Sequence, residues 1–233
     1  PEGQMLIGRN GRLNPNATLG RELNGFWLQP DNWMDETYRS SLRQEYNVNF
    51  TQGTEKSNIL ASVSYLKNNG IIVSPSSYER FTGRLAADFQ AKPWLKVGAN
   101  ISYSHSNHED MTSQEGSSNG TTNVFAYATQ VAPIYPMYIR DANKQIMYDA
   151  NGFKMYDFGN KGNAGLTRPI FSDFNGVGMA MLDKNKGTDN QFTATGFVEI
   201  RFLKDFKFTS NNNINLTEYR LTTMTNPYYG PGV

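Results

Sequence analysis

The run Leu95-Lys96-Val97-Gly98-Ala99-Asn100-Ile101-Ser102-Tyr103-Ser104 alternates without a break. Leu95, Val97, Ala99, Ile101 and Tyr103 fall on one side of an extended chain. Lys96, Gly98, Asn100, Ser102 and Ser104 fall on the other, because successive side chains of a β-strand point to opposite faces. The stretch therefore reads as a strand with one apolar and one polar face.

The same period recurs on both sides of it. Upstream, Phe81, Gly83, Leu85, Ala87 and Phe89 oppose Arg80, Thr82, Arg84 and Asp88. Before that, Ile59, Ala61, Val63 and Tyr65 oppose Asn58, Ser62 and Ser64, with Leu60 and Leu66 interrupting the polar side. Tyr46, Val48 and Phe50 alternate with Glu45, Asn47, Asn49 and Thr51. Downstream, Phe192, Ala194, Gly196, Val198, Ile200 and Phe202 oppose Thr193, Thr195, Glu199 and Arg201. A sixth run sets Phe206, Phe208, Ile214 and Leu216 against Lys207, Thr209, Asn211, Asn213 and Asn215. Such strands reach about 10–12 residues, against a usual ~5–6.

Composition agrees with β-structure carrying long polar connections. Aromatic residues make up 13% of the 233, charged residues only 18%, and mean hydropathy is −0.59. Disordered chains are poorer in aromatics and richer in charge. The net charge of +1 leaves no basic footprint for nucleic acid. With no cysteine, disulfide frameworks, Cys-ligated zinc and thiol nucleophiles are excluded. No apolar stretch approaches the ~18 residues of a spanning helix. Neither an initiator Met nor a signal-peptide pattern opens the chain, and both ends read as cuts through a longer protein.

The connections between strands run short, medium, short, very long, short and long. Because antiparallel strands reverse direction, all the short joints then fall on one side. Outer-membrane β-barrels have this asymmetry. Trp94 and Phe206 stand at short turns, where a girdle ring belongs. In such a barrel Arg80, Arg84, Asp88, Lys96, Asn100, Glu199 and Arg201 face a wet lumen. Period 2 is equally the mark of a soluble sandwich with one buried face, so a soluble all-β glycan-binding or adhesion domain stays open on pattern alone.

Residues 31–104 resemble a recurrent stretch of SusC/RagA-type TonB-dependent outer-membrane transporters of Bacteroidetes. The resemblance is carried by Asp31-Asn32-Trp33-Met34-Asp35-Glu36, Gln44–Phe50, Gly53–Asn58, Ser64–Ile71, Tyr78–Leu85 and Trp94–Ser104. It extends more weakly over 190–217. It implies an antiparallel transmembrane β-barrel of roughly 22 strands with a plugged lumen, of which this chain supplies about six. It implies an outer-membrane location in a Gram-negative bacterium, a SusD-like surface lipoprotein over the barrel mouth, TonB as a partner of the parent protein, and an oligosaccharide or peptide substrate. On this reading residues 1–39 are a loop region before the barrel strands and 40–104 hold four strands. Residues 105–189 form a long extracellular loop, 190–217 hold two strands, and 218–233 begin a further loop. Short helical turns are expected within Asp31–Arg39 and within Val124–Val131, the latter stopped by Pro133.

No cofactor, metal or catalytic centre is expected. His105, His108, Glu109 and Asp110 have a metal-like spacing without a supporting ligand pattern, and read as the start of a solvated loop. Asp141-Ala142-Asn143 opens like a calcium loop but has Ile146 where the turn glycine belongs. Asp149-Ala150-Asn151-Gly152 reads as a turn. No G-x-S-x-G, Walker A or H-E-x-x-H motif occurs. A β-rich glycan-active enzyme remains as a third reading. The binding candidates are aromatics of the long loop, Tyr135, Tyr138, Tyr148 and Tyr156, with Arg140. Rings stack on apolar sugar faces while polar neighbours bond hydroxyls. The competing reading is that these rings pack the loop onto itself or onto a lid partner.

Overall fold

Backbone pairing follows the alternation. The computed structural model describes Arg12 and residues 19–110 and 124–227. The first part of the expected 1–39 loop region, residues 111–123 and residues 228–233 lie outside them. A small hairpin, β1 (Arg21–Leu23) and β2 (Phe26–Leu28), precedes helix α1 (Trp33–Thr37). Four long strands follow: β3 (Arg43–Gly53), β4 (Ser57–Asn69), β5 (Ser77–Lys92) and β6 (Leu95–Glu109). The connection after β6 contains helix α2 (Val124–Gln130), the hairpin of β7 (Asn160–Asn163) with β8 (Leu166–Thr167), and helix α3 (Gly176–Leu182). Strands β9 (Lys184–Phe202) and β10 (Phe206–Met224) complete the chain. The long strands form one antiparallel sheet in the order β10-β9-β6-β5-β4-β3. It is an open sheet, with β3 and β10 at its two edges.

Register decides what each face carries. Directly paired residues share a face. The rows Leu85↔Ile101↔Ala194↔Ile214 and Phe89↔Val97↔Val198 join the apolar sides of successive strands. Aromatic rows bound this surface. Tyr46, Tyr65 and Phe81 pair in sequence at one end, beside Tyr103↔Phe192. At the other end Phe202 stacks on Phe206, with ring centroids 5.8 Å apart. Phe192 and Phe202 are ten positions apart, about 33 Å along a strand at ~3.3 Å per residue. At a tilt of ~40° that is roughly 25 Å of height, the apolar band of an outer-membrane barrel. Nothing among the described residues packs on this face: Val48 is 71% exposed, Leu85 52% and Ile214 58%.

The strands outrun the alternation that revealed them. His105 and His108 lie on β6, not in a loop. β9 begins at Lys184, and residues 218–224, expected as the start of a loop, are the end of β10. The reason is visible in the register. Beyond the aromatic row the apolar face turns polar, with Lys67, Glu79, Asn107, Thr188 and Arg220 in line. Pairing continues there while the apolar alternation is lost in β9 and changes faces in β10, where Tyr219 and Leu221 lie on the opposite side.

The buried core lies off the sheet, in a cap built from the long connections. Trp33, Ile72, Val124, Tyr127, Val131, Met137, Tyr138, Tyr156 and Val177 form its cluster. They come from the segment before β3, the β4–β5 connection and the β6–β9 connection. Both expected helical turns occur, as α1 and α2. Asn32 caps α1 by accepting from the Asp35 N–H, and Asn175 caps α3 by accepting from Gly178 N–H at 2.9 Å. Within the β6–β9 connection the sequence repeats every eight residues, Asp141-Ala-Asn-Lys-Gln-Ile-Met-Tyr148 and then Asp149-Ala-Asn-Gly-Phe-Lys-Met-Tyr156. Three short extended pieces result. Ile139 N–H donates to Met155 O, Met155 N–H to Met147 O, and Met147 N–H to Ile139 O, each at 2.9 Å.

Candidate functional site

Two surfaces qualify: the polar face of the sheet and a cleft in the cap. On the sheet, Arg80, Arg84, Asp88, Asn100, Glu199 and Arg201 all lie on the face opposite the apolar band. Arg84, Asp88, Asn100, Glu199 and Arg201 are bonded to neighbours rather than isolated. Asp88 pairs with Lys96 at 2.9 Å and accepts from Asn58, and Arg84 Nε donates to Asn100 Oδ1 at 2.9 Å. Glu199 bridges Arg201 and Lys207. Thr193 and Thr195 donate across to Asn215 and Asn213. An aromatic interrupts the middle of this surface. Phe197 is paired with Gly98 and lies so close that a Cβ on Gly98 would stand 2.3 Å from its ring. Lys96 sits over the same ring, 5.9 Å from its centroid.

The two histidines separate. On a strand, positions three apart point to opposite faces. His105 contacts Asn190 Oδ1 at 2.7 Å, while His108 lies 3.5 Å from Asp189 and stacks on Tyr219. Among the described residues no group of three or more His, Asp or Glu is arranged to hold a metal.

In the cap, the five binding candidates divide by burial. Arg140 is buried and forms a bidentate pair with Asp31, Nη2 to Oδ1 at 2.6 Å and Nη1 to Oδ2 at 3.0 Å. Tyr138 is buried against Tyr156, donates to Glu36 at 2.7 Å and sits under Arg140. Burial and that hydrogen bond raise its phenol well above the ordinary value. These three side chains, at 4–8% exposure, have almost no surface to give a ligand. They join the segment before β3 to the β6–β9 connection. Tyr148 is exposed on the repeat. Tyr135 lines one cleft of the cap, beside the two hairpins, and Tyr156 borders a second, beside the repeat.

The first cleft, about 520 Å³, opens between the β1–β2 hairpin and the β7–β8 hairpin. Apolar walls from Leu28, Ile134 and Leu166 meet polar Asp157, Asn163 and Arg168. Asp157 is the third aspartate of the eight-residue series. Asp141 and Asp149 accept from backbone N–H groups two and four residues ahead, all at 2.9 Å, which is why the first is a turn and not a calcium loop. Asp157 accepts from Gly159 N–H at 2.6 Å and from Asn163 Nδ2 at 2.8 Å. Burial pushes its carboxyl up, with the Asn163 bond opposing. Arg168 donates to Tyr127 Oη at 2.8 Å and to the Asp157 and Phe174 carbonyls. Gly159, at φ +71°, lets the chain pass beneath that guanidinium, where a Cβ would strike Nε. Asn163 and Arg168 carry no local motif, and the sequence analysis does not single them out; the eight-residue repeat leading to Asp157 is the nearest signal.

The cap's phenols give it a pH dependence. Burial pushes Tyr127 and Tyr156 up to about 12, from 10.0 when unfolded. The folded state thus prefers the neutral phenols. Their stabilisation is complete below pH 10.0 and is lost as pH rises through about 12. A cooperative step of tyrosinate absorbance in that interval is expected, smaller in Tyr127→Phe. A gradual titration of all tyrosines near their ordinary value would contradict it.

No helix among the described residues is long and apolar enough to cross a membrane. No family model matches the chain, and no curated protein does. Among solved structures, it is similar to a chain of the RagAB peptide importer in its "closed-closed" state, with a TM-score of 0.60 and 19% identity over 84% of this chain and 20% of that one. A chain of the RagAB peptide transporter gives 0.62 and 20% over 86% and 21%. The "open-open" importer gives 0.62 and 19% over 92% and 21%. The chain spans about a fifth of the length of these relatives. At such identity the likeness is one of fold: an all-β segment arranged like part of a RagAB transporter chain.

Proposed function

We propose that this chain is a section of the wall of an outer-membrane β-barrel importer, with its cap on the outer side, and that the parent protein takes up peptides. One observation carries the reading: an uncovered apolar band of membrane height, rimmed by aromatics, backs onto a networked polar face. In a water-soluble fold such a band would be covered by a second layer. In lipid it needs no cover, but the open edges at β3 and β10 do need partners, which further strands of a longer protein supply. Peptides are favoured over oligosaccharides because the neighbouring structures are those of a peptide importer. A SusD-like lipoprotein and TonB enter as the partners implied by the sequence resemblance.

This segment has no cysteine of its own, so once any cysteines elsewhere in the full-length protein are replaced, single introduced ones can carry spin labels one at a time. Labels along β6 from Val97 to Tyr103, in the full-length protein in liposomes, are expected to alternate. Odd positions should relax with lipid-dissolved oxygen and even ones with a water-soluble reagent. Equal water access on both faces would remove the barrel reading. Uptake of oligosaccharides and not peptides, by cells carrying the parent protein and its lipoprotein, would correct the substrate.

A further inference from the structure

We infer that the lumen side of β10 carries a ladder of asparagines that binds the backbone of an extended peptide without regard to its sequence. The inference rests on the importer reading and gives its substrate a track along the barrel wall. Asn211, Asn213 and Asn215 follow one another on the polar face of β10, and all three are exposed. Their spacing is the two-residue repeat of a strand, about 6.6–6.8 Å. Two of the amides are already oriented. Thr195 Oγ1 donates to Asn213 Oδ1 at 3.0 Å, and Thr193 Oγ1 to Asn215 Oδ1 at 3.2 Å. Each bond takes one lone pair of the oxygen and fixes which end of the amide is nitrogen. The second lone pair and the N–H donors of that amide face the lumen side.

A carboxamide is itself a peptide-like unit. Its N–H and its oxygen can meet the C=O and N–H of one residue in an extended chain, as a neighbouring strand does. Along either edge of such a chain, alternate residues present this pair at the same two-residue interval. Three rungs therefore engage residues i, i+2 and i+4 of one peptide in register. A sugar hydroxyl can satisfy any single rung; the repeated interval of three is what singles out a polypeptide. The ladder's immediate surroundings are neutral. Thr193, Thr195 and Phe197 pair across from it on β9, and Thr209 and Thr217 flank it on β10. No charge in that stretch selects among peptide side chains, so recognition falls on the backbone. A further strand of the parent protein, pairing with the free edge of β10, leaves this face open, because strand pairing uses backbone groups in the plane of the sheet.

The test uses the full-length protein in detergent with three probes: random-sequence heptapeptides, the same library methylated at every backbone nitrogen, and a maltodextrin mixture. Retained material is quantified by mass spectrometry. The wild type is expected to retain the unmethylated library roughly tenfold or more over the methylated one, three rungs each adding a modest net hydrogen bond. The variant Asn211→Ala, Asn213→Ala, Asn215→Ala should lose that ratio, with unchanged thermal unfolding verifying its fold. Asn213→Asp, which keeps the acceptor for Thr195 and removes the donors, should lower the ratio in part. Ser62→Ala with Ser102→Ala, on the same face of β4 and β6, should keep it. A ratio unchanged in the triple variant would overturn the ladder while leaving the importer reading intact. A large loss of thermal stability in that variant would show the ladder holding a segment of the parent protein, and would overturn the substrate assignment. Retention of maltodextrins alone would overturn the peptide class in both. Retention of neither material would overturn the ladder and count against import by this protein.

Discussion

Asp31→Ala is expected to release the segment before β3 from the cap, destabilising their union by about 3–5 kcal/mol, the range for removing one partner of a buried ion pair. The Asp31 carboxylate accepts from both guanidinium nitrogens of Arg140 and from Met137 N–H at 2.7 Å. Its loss strands a buried cation and an enclosed amide donor together. Asp31→Asn keeps an acceptor for Met137 but not the charge, and should cost less. The double variant Asp31→Ala, Arg140→Met should recover part of the loss, since an apolar replacement leaves no uncompensated charge. Hydrogen exchange of residues 124–183 in the full-length protein reads the effect. Unchanged protection in Asp31→Ala would show that the pair does not hold the two segments together.

The second large effect belongs to the sheet. Leu85 lies midway between the aromatic limits of β5, Phe81 and Phe89, on the apolar face. Leu85→Arg places a cation at the midplane and is expected to cost about 2–4 kcal/mol of stability in a bilayer. Thr209→Arg, on the opposite face and directly across from Glu199, gains an anionic neighbour and should change stability little. Urea unfolding of the full-length protein in liposomes separates the two. Equal destabilisation by both would contradict the assignment of lipid and lumen faces. Loss of folding in detergent-free buffer as well would point to a packed soluble core instead.

These predictions draw on parts of the molecule that were unequally legible. Strand positions within the apolar band could be read because one face meets a uniform environment, so Leu95 to Tyr103 kept strict alternation. At the outer ends, β9 from Lys184 to Asn190 is polar on both faces, and in β10 the alternation changes sides, with Tyr219 and Leu221 falling opposite the face of Leu216. Only the pairing partner reveals such strands, and partners are not encoded in local period. The cap was harder still. Trp33 packs edge-on against Tyr127, with centroids 5.1 Å apart, across some ninety residues of sequence.

The cap aromatics were ambiguous for a chemical reason. Tyrosine beside polar neighbours suits a sugar-stacking wall and a hydrogen-bonded core equally well. Tyr138 and Tyr156 pack against each other at a tilt, and Arg140 serves Asp31. The eight-residue repeat was present in the sequence, yet its two halves looked like separate turns. Its meaning depends on Ile139, Met147 and Met155 closing on one another.

That closure bears on aggregation. Extended backbone ordinarily offers a row of free N–H and C=O groups to any passing strand, a hazard that proteins with exposed edges must blunt. Residues 139, 147 and 155 each give their N–H to one neighbour in the triangle and take one from the other. A three-membered ring has no first or last member, so none of these three N–H groups is left over for a passing strand. Tyr148 and Phe153 can therefore stand exposed on it without nucleating intermolecular β-pairing at those positions. A substitution that opens the ring, such as proline at Met147, would convert a self-contained surface into a sticky one.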